Sequence, residues 1–376
     1  MGPRAIHLLP DRNEALSIRV LRTGKKKRQI RGGLMKASEW VVRCLVVAML
    51  LVSFLIPLQG SAAEPVITLS YSNFFPATHK NSIIAEEWSR ELEKRTNGRV
   101  KISYYPGGTL TPAAQTFDSV VKGIADIGNA VLGYTMGKFP LSEVLDYPVG
   151  YPSGIVATKL VNAFYNKFKA KEFDDVKILY FHAQGPGILH TKKPVKTLED
   201  LKGMKIRTFG SNARFVSLLG AAPVGTTMPE TYDALRTGVA EGALAGFEAL
   251  QGWKWGEVVK WTTENYGTGY TATFIVFMNK AKWNSLPPDV QKTIDAMSAE
   301  YMEKQGKLWD TIEAEGREFT LKRGNQILRL TAEENARWVA KTQPMFDDYM
   351  AKTKAKGLPG DAAVKFVRDY IKANTK

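Results

Sequence analysis

Cysteine is almost missing from this chain. Its 376 residues hold one, Cys44. No disulfide can form within the chain, and residues 64–376 can supply neither a thiolate nucleophile nor a cysteine-ligated metal. Histidine is scarce as well. His7, His79, His182 and His190 are the only four, none in HExxH spacing, which removes most zinc sites. There is no GxSxG elbow and no GxxxxGKS/T phosphate loop. Gly185-Pro186-Gly187 lacks the third glycine of a dinucleotide fingerprint, and Pro186 removes a backbone donor. No carboxylate pair stands out as glycosidase-like. Long apolar runs are lacking too. Residues 45–56, LVVAMLLVSFLI, carry no charge, but a bilayer core needs about 20 residues.

What is present is ordinary globular composition, 44% hydrophobic and 24% charged, in a chain long enough for two domains. The net charge of +15 resembles a nucleic-acid signal until it is located. Residues 1–63 hold 11 Lys and Arg against 3 Asp and Glu, so more than half of the excess lies there. Lys36 and Arg43 precede the apolar run and Ser61-Ala62-Ala63 follows it. Basic, apolar, small-residue site is the order of a secretory signal. The order predicts cleavage after Ala63; an uncleaved anchor is the other reading. Met35 begins a conventional signal, so translation is expected to start there, with residues 1–34 an upstream extension. Lys25-Lys26-Lys27-Arg28 would suggest a nucleic-acid motif, which an exported chain does not need.

Beyond residue 63, strand-like and helix-like stretches alternate. Ile67–Tyr71, Val100–Tyr104, Ala125–Gly128, Val176–Phe181, Met204–Thr208 and Phe274–Met278 read as strands. Ile84, Trp88 and Leu92 mark a helix that Asn97-Gly98 ends. Pro112 can start the helix carrying Phe117. Ala213–Leu219 and Glu230–Thr237 read as helices closed by Gly220 and Gly238. Thr197–Asp200 reads as a capped turn. From Pro287 onward the pattern is mostly helical, broken near Lys322-Arg323-Gly324. This alternation predicts α/β layers with largely parallel sheets.

Six segments carry a resemblance. PVKTLEDLKGMKIR (Pro194–Arg207), LGAAPVGTTMPETYDALRTGVAEG (Leu219–Gly242) and FMNKAKWNSLP (Phe277–Pro287) are the most specific. YPGGTL, VVKGIADIG and GYTMGKFPLSEVLDYP precede them, in order, between Tyr105 and Pro148. Together they resemble the solute receptors of tripartite ATP-independent periplasmic (TRAP) transporters, the DctP-type family, over about residues 66–345. The resemblance implies a two-domain periplasmic-binding-protein-like α/β fold with crossover strands, a cleft between domains and a long helix spanning both. Residues 64–185 with 272–312 would form domain I, and 186–271 with 313–376 domain II. It implies a monomer that binds a small organic acid in the periplasm and delivers it to small and large integral membrane permease subunits. No catalysis, cofactor, metal or nucleic-acid partner is expected. A periplasmic sensor or an enzyme on the same scaffold is the alternative.

In this family an arginine ending the DLKGxKIR motif holds the ligand carboxylate, here Arg207. Guanidinium is planar, permanently charged and able to make two parallel bonds to a carboxylate, and the end of a strand in an open α/β sheet faces the ligand crevice. Further expected contacts are Phe75 and His79 after the first strand, Tyr134, Gln184, Phe209 and Phe247. His79 could instead cap the helix that comes after it. Arg214 and Arg236 read as surface ion-pair formers. Ala245 stands where receptors of polar acids often carry asparagine, and Pro186-Gly187 where sialic-acid-type receptors place a second arginine. Those departures argue against sugar acids and doubly held dicarboxylates. Phe247, Trp253 and Trp255 come next, so the ligand body could be apolar or aromatic, although packing beneath the hinge is the favoured reading of the tryptophans.

Overall fold

The computed structural model describes residues 65–375 together with Val42, Leu45, Val46 and Met49. The expected start at Met35, the signal cleavage after Ala63 and Cys44 lie outside the described residues. Among the described residues no helix is long and apolar enough to cross a membrane. The chain divides into two units between Ala63 and Glu64. The second unit carries both sheets and the candidate site.

Eleven strands are described: β1 (Ile67–Asn73), β2 (Val100–Tyr105), β3 (Ile127–Val131), β4 (Val176–Ala183), β5 (Ile188–Thr191), β6 (Lys205–Thr208), β7 (Ala222–Gly225), β8 (Gly242–Ala245), β9 (Trp261–Glu264), β10 (Thr273–Asn279) and β11 (Gln326–Arg329). The helices are α1 (Lys80–Arg95), α2 (Thr116–Val121), α3 (Gly154–Phe168), α4 (Asn212–Leu218), α5 (Met228–Thr237), α6 (Glu248–Gly252), α7 (Lys280–Ser285), α8 (Pro288–Lys322), α9 (Ala332–Ala355) and α10 (Gly360–Asn374). One sheet runs β2-β1-β3-β10-β4 and the other β11-β9-β5-β8-β6-β7. Local signals explain many boundaries. Asn97 and Gly98 after α1, Gly220 after α4, Gly238 after α5 and Gly324 after α8 all have positive φ, the conformation that terminates a helix. Thr197 and Asp200 form a reciprocal capping box.

The sheets are more mixed than the expected largely parallel arrangement. In the first, β10 runs antiparallel to both β3 and β4. In the second, β5 runs antiparallel to both β8 and β9. The remaining pairs are parallel. The cause is the crossovers. β4 passes through residues 184–187 straight into β5, and β9 through 265–272 into β10. A strand that enters a sheet from the crossover runs away from it, whereas its neighbours run toward it. The two crossovers are paired by a bridge between Gly187 and Tyr270, with Gly187 N–H donating to Tyr270 O at 2.7 Å.

Helix α8 ties the two sheets together. Its 35 residues span roughly 50 Å at 1.5 Å per residue. Along it, Trp309 donates its indole N–H to His182 of β4, while Gly316 lies against the Phe247 backbone beside α6, where a Cβ would meet Phe247 O. The expected division groups residues 313–376 with the second domain, yet α10 packs on α3 of the first. Phe366 meets Phe164 and Phe168 with ring centroids 6.1 and 5.9 Å apart. Ala363 and Val367 of α10 are buried. The helix goes where an aromatic face is available to cover, not where the chain last came from.

Candidate functional site

Where the β-strand ends of both sheets meet, a narrow cavity of about 10 Å³ is lined by Phe75, Val131, Tyr134, Gln184, Arg207, Phe209, Met228, Ala245, Glu248, Trp253, Tyr270, Ala272 and Phe274. That is room for about one water molecule. A ligand of any size therefore requires the two sheets to part.

Arg207, the third residue of β6, is 1% exposed. Its Nε and Nη2 both donate to Thr226 O, at 3.0 and 2.7 Å. Nη1 lies 3.5 Å from Leu244 O. The Phe209 and Trp255 rings flank the guanidinium, with centroids 5.7 and 5.6 Å away. Among the described residues no Asp or Glu forms an ion pair with it. A buried charge met only by neutral groups favours an anion from outside the protein. Tyr134 and Tyr270 lie beside it. Tyr134 Oη accepts the backbone N–H of Met228 at 3.0 Å, and Tyr270 Oη donates to Leu244 O at 2.9 Å. Burial raises the pKa of both phenols, against the opposing pull of the Arg207 charge, so both remain neutral donors.

Five of the seven expected residues, Phe75, Tyr134, Gln184, Arg207 and Phe209, are in the cavity wall. His79 is not. It caps α1, its side chain accepting the Asn81 backbone N–H at 3.1 Å, and its Nε2 lies 3.0 Å from Glu248 Oε2. Phe247 is turned away from the cavity. Its N–H donates to Glu313 Oε2 at 2.7 Å and its ring packs edge-on against His190. The cause is the tight turn after β8, which sends Phe247 toward α8 and Glu248 toward the cavity. Arg214 and Arg236 pair at the surface with Asp348 and Asp233. The tryptophans divide: Trp253 lines the cavity, and Trp255 is packed behind Arg207.

Sequence reasoning missed Val131, Met228, Glu248, Tyr270, Ala272 and Phe274. The last three enter through the second crossover, which is visible only once β9 is known to lead into β10. Glu248 adjoins the expected Phe247, and its burial was the missing signal. Two buried donors in the wall, Gln184 Nε2 and Trp253 Nε1, have no partner among the described residues.

Buried acids underlie the cleft. Glu313 of α8 has its pKa pushed up to about 8, first by burial and then by the charge of Glu248. Burial pushes Asp146 up to about 7 despite the Thr273 N–H at 2.8 Å. A larger groove of about 520 Å³ lies elsewhere, among residues 132–147, 210–214 and the end of α9. It excludes Arg207 and is lined by the exposed Arg214–Asp348 pair. Among the described residues no group of three or more His, Cys, Asp and Glu could hold a metal.

The model of the family described as bacterial extracellular solute-binding protein, family 7 (DctP), matches residues 71–353. The chain belongs to this family. Three solved TRAP solute-binding protein structures resemble it. A TRAP periplasmic solute-binding protein from Desulfovibrio salexigens, solved as an open complex with a symmetry mate's C-terminus in its ligand-binding site, is 35% identical. It covers 82% of this chain and 96% of its own, with a TM-score of 0.72. A TRAP solute-binding protein from Rhodoferax ferrireducens, in complex with copurified benzoate, is 29% identical over 82% of this chain and 98% of its own, TM-score 0.78. A marine metagenome TRAP solute-binding protein specific for aromatic acid ligands, solved with 3-hydroxybenzoate, is 30% identical over 83% of this chain and all of its own, TM-score 0.78. The DctP-type resemblance seen in the sequence, and the α/β fold it implied, are both correct.

Proposed function

We propose that this TRAP receptor binds an aromatic monocarboxylate between its two sheets and passes it to integral membrane permease subunits. One observation carries the reading: Arg207 is a buried cation without a carboxylate partner among the described residues, in a cavity walled by six aromatic rings. The carboxylate takes the guanidinium, with Tyr134 and the free Gln184 amide N–H as further donors. The ring takes the space between Phe75, Phe209, Trp253 and Phe274. Ala245 and Pro186 offer no polar arm for a sugar or a second carboxylate. The aromatic ligands of the Rhodoferax and marine metagenome proteins support the same class.

The two lobes divide at the crossovers, residues 64–185 with 272–312 in one and 186–271 with most of 313–376 in the other. Residues 35–63 direct export to the periplasm, with cleavage after Ala63. The basic, apolar, small-residue order of that stretch supports this reading.

A thermal-shift screen of organic acids tests the ligand class. A ligand at about 100 times its Kd adds about 2.7 kcal/mol of stability. Aromatic monocarboxylates are expected to raise the melting temperature, and glucuronate and succinate are not. A shift only with sugar acids or dicarboxylates would reject the reading. N-terminal sequencing of the exported protein is expected to begin at Glu64.

A further inference from the structure

The cavity holds a second polar patch that the carboxylate does not use. Glu248 is 3% exposed and in the cavity wall. It forms no ion pair with Arg207. Its partner is His79, Nε2 to Oε2 at 3.0 Å. The state of that imidazole is set by its other nitrogen. His79 Nδ1 accepts the Asn81 backbone N–H, so Nδ1 carries no proton and the single ring proton is on Nε2, donated to Glu248. A neutral imidazole orients a carboxylate without cancelling its charge. The Glu248 carboxylate is thus held in place by the residue that caps α1.

Trp253 stands beside this pair, its ring centroid 5.7 Å from that of His79. Its indole N–H is buried and has no partner among the described residues. A buried donor left unpaired is costly. The patch thus offers a charged acceptor and a vacant donor. A second carboxylate there would meet Glu248 as a like charge. A ring amine could donate to Glu248 but, with its lone pair drawn into the ring, would be a poor acceptor and leave the indole unpaired. A bare ring edge would satisfy neither. A hydroxyl does both, donating its proton to Glu248 and accepting from Trp253.

We propose that Glu248 and Trp253, with His79 positioning the carboxylate, form a hydroxyl-reading subsite, and that the ligand is a hydroxylated aromatic monocarboxylate. This rests on the aromatic-acid reading above and narrows it.

Calorimetry of the full mature protein tests the subsite with benzoate, phenylacetate, their 3- and 4-hydroxy and 3- and 4-amino derivatives, isophthalate and terephthalate. At least one hydroxy acid is expected to bind roughly ten- to a hundredfold more tightly than its unsubstituted parent, the scale of a hydrogen bond to a charged group. The amino acids should fall below it and the dicarboxylates last. In Glu248→Gln the ratio of hydroxy to parent affinity should collapse toward one, and isophthalate should close on benzoate. Trp253→Phe keeps a ring and removes the N–H, and should lower the same ratio. The wild-type panel and Trp253→Phe keep the test decisive if Glu248→Gln fails to fold. Parents binding as tightly as every hydroxy acid, or a ratio that survives in a folded Glu248→Gln, would overturn the subsite and leave the aromatic-acid reading standing. Failure of every aromatic acid to bind would overturn both.

Discussion

The backbone N–H of Met228 donates to the hydroxyl of Tyr134 across the cavity at 3.0 Å. Tyr134 comes after β3 of the first sheet, and Met228 opens α5, which comes after β7 of the second. Beside this bond Gly133 allows the Phe209 ring so close that a Cβ would lie 2.7 Å from it. These contacts hold the two sheets together over Arg207, and a ligand can enter only when they separate.

Tyr134→Phe removes the acceptor and keeps the ring. A hydrogen bond of this kind contributes about 1 kcal/mol net, close to fivefold in an equilibrium. The variant is expected to release ligand faster and to bind about fivefold more weakly, measured by stopped-flow and calorimetry. An unchanged off-rate would show that this bond does not hold the closed form.

Arg207→Ala is expected to weaken binding of the aromatic acid that the screen selects. Truncating one partner of a buried charge pair costs roughly 2–5 kcal/mol, about thirty-fold to several thousand-fold. Arg207→Lys keeps the charge but not the fork, so it should recover only part. Arg214→Ala should leave affinity unchanged, because its pair with Asp348 is about half exposed and worth at most about 1 kcal/mol. Equal affinity of wild type and Arg207→Ala would remove the carboxylate assignment.

Stability should fall as the solution is made basic, between about pH 6.5 and 8. Asp146 and Glu313 have raised values, about 7 and about 8, because both are buried. Each keeps a proton in the native state that the unfolded chain has lost, so stability drops as pH climbs toward the raised value. His182 and His190 act oppositely. Burial lowers them to about 3 and about 4, and their contribution is complete once the pH passes the ordinary histidine value of 6.5. Above that only the acids remain. Melting temperatures from pH 5.5 to 8.5 should show the decline, and Glu313→Gln should flatten its upper part. The same slope in that variant would exclude Glu313 as a source.

Gly187→Ala tests the crossover. A Cβ there would run into the Tyr270 ring, which lines the cavity. Overpacking typically costs about 1–3 kcal/mol, and the ring, pushed off Gly187, is expected to move into the cavity that it lines. The variant should melt lower and lose affinity together. A drop in melting temperature with full affinity would mean that the ring escapes elsewhere.

Much of the scaffold is legible in sequence. β1, β2, β4 and β10 fall within a few residues of where alternation or apolar runs place them, because each is long enough or apolar enough to show its period; β6 has only four residues, KIRT, and is located by the DLKGMKIR motif that it ends. β5, β7, β8, β9 and β11 are four residues each. Gly242–Ala245 reads GALA and carries no strand signature of its own. Such segments become strands because neighbouring strands supply their hydrogen bonds.

The sequence by itself determined the family, the glycine-terminated helices and Arg207 at the end of β6, since each depends on residues adjacent in the chain. The tertiary structure alone decided which side chains share the cavity. Phe75, Glu248 and Tyr270 are far apart in sequence and meet only because two crossovers bring both sheets' strand ends to one place. It also decided the titration of Glu313. Burial beside the charge of Glu248 pushes its pKa up to about 8, because both effects disfavour the ionised carboxylate and both exist only after folding.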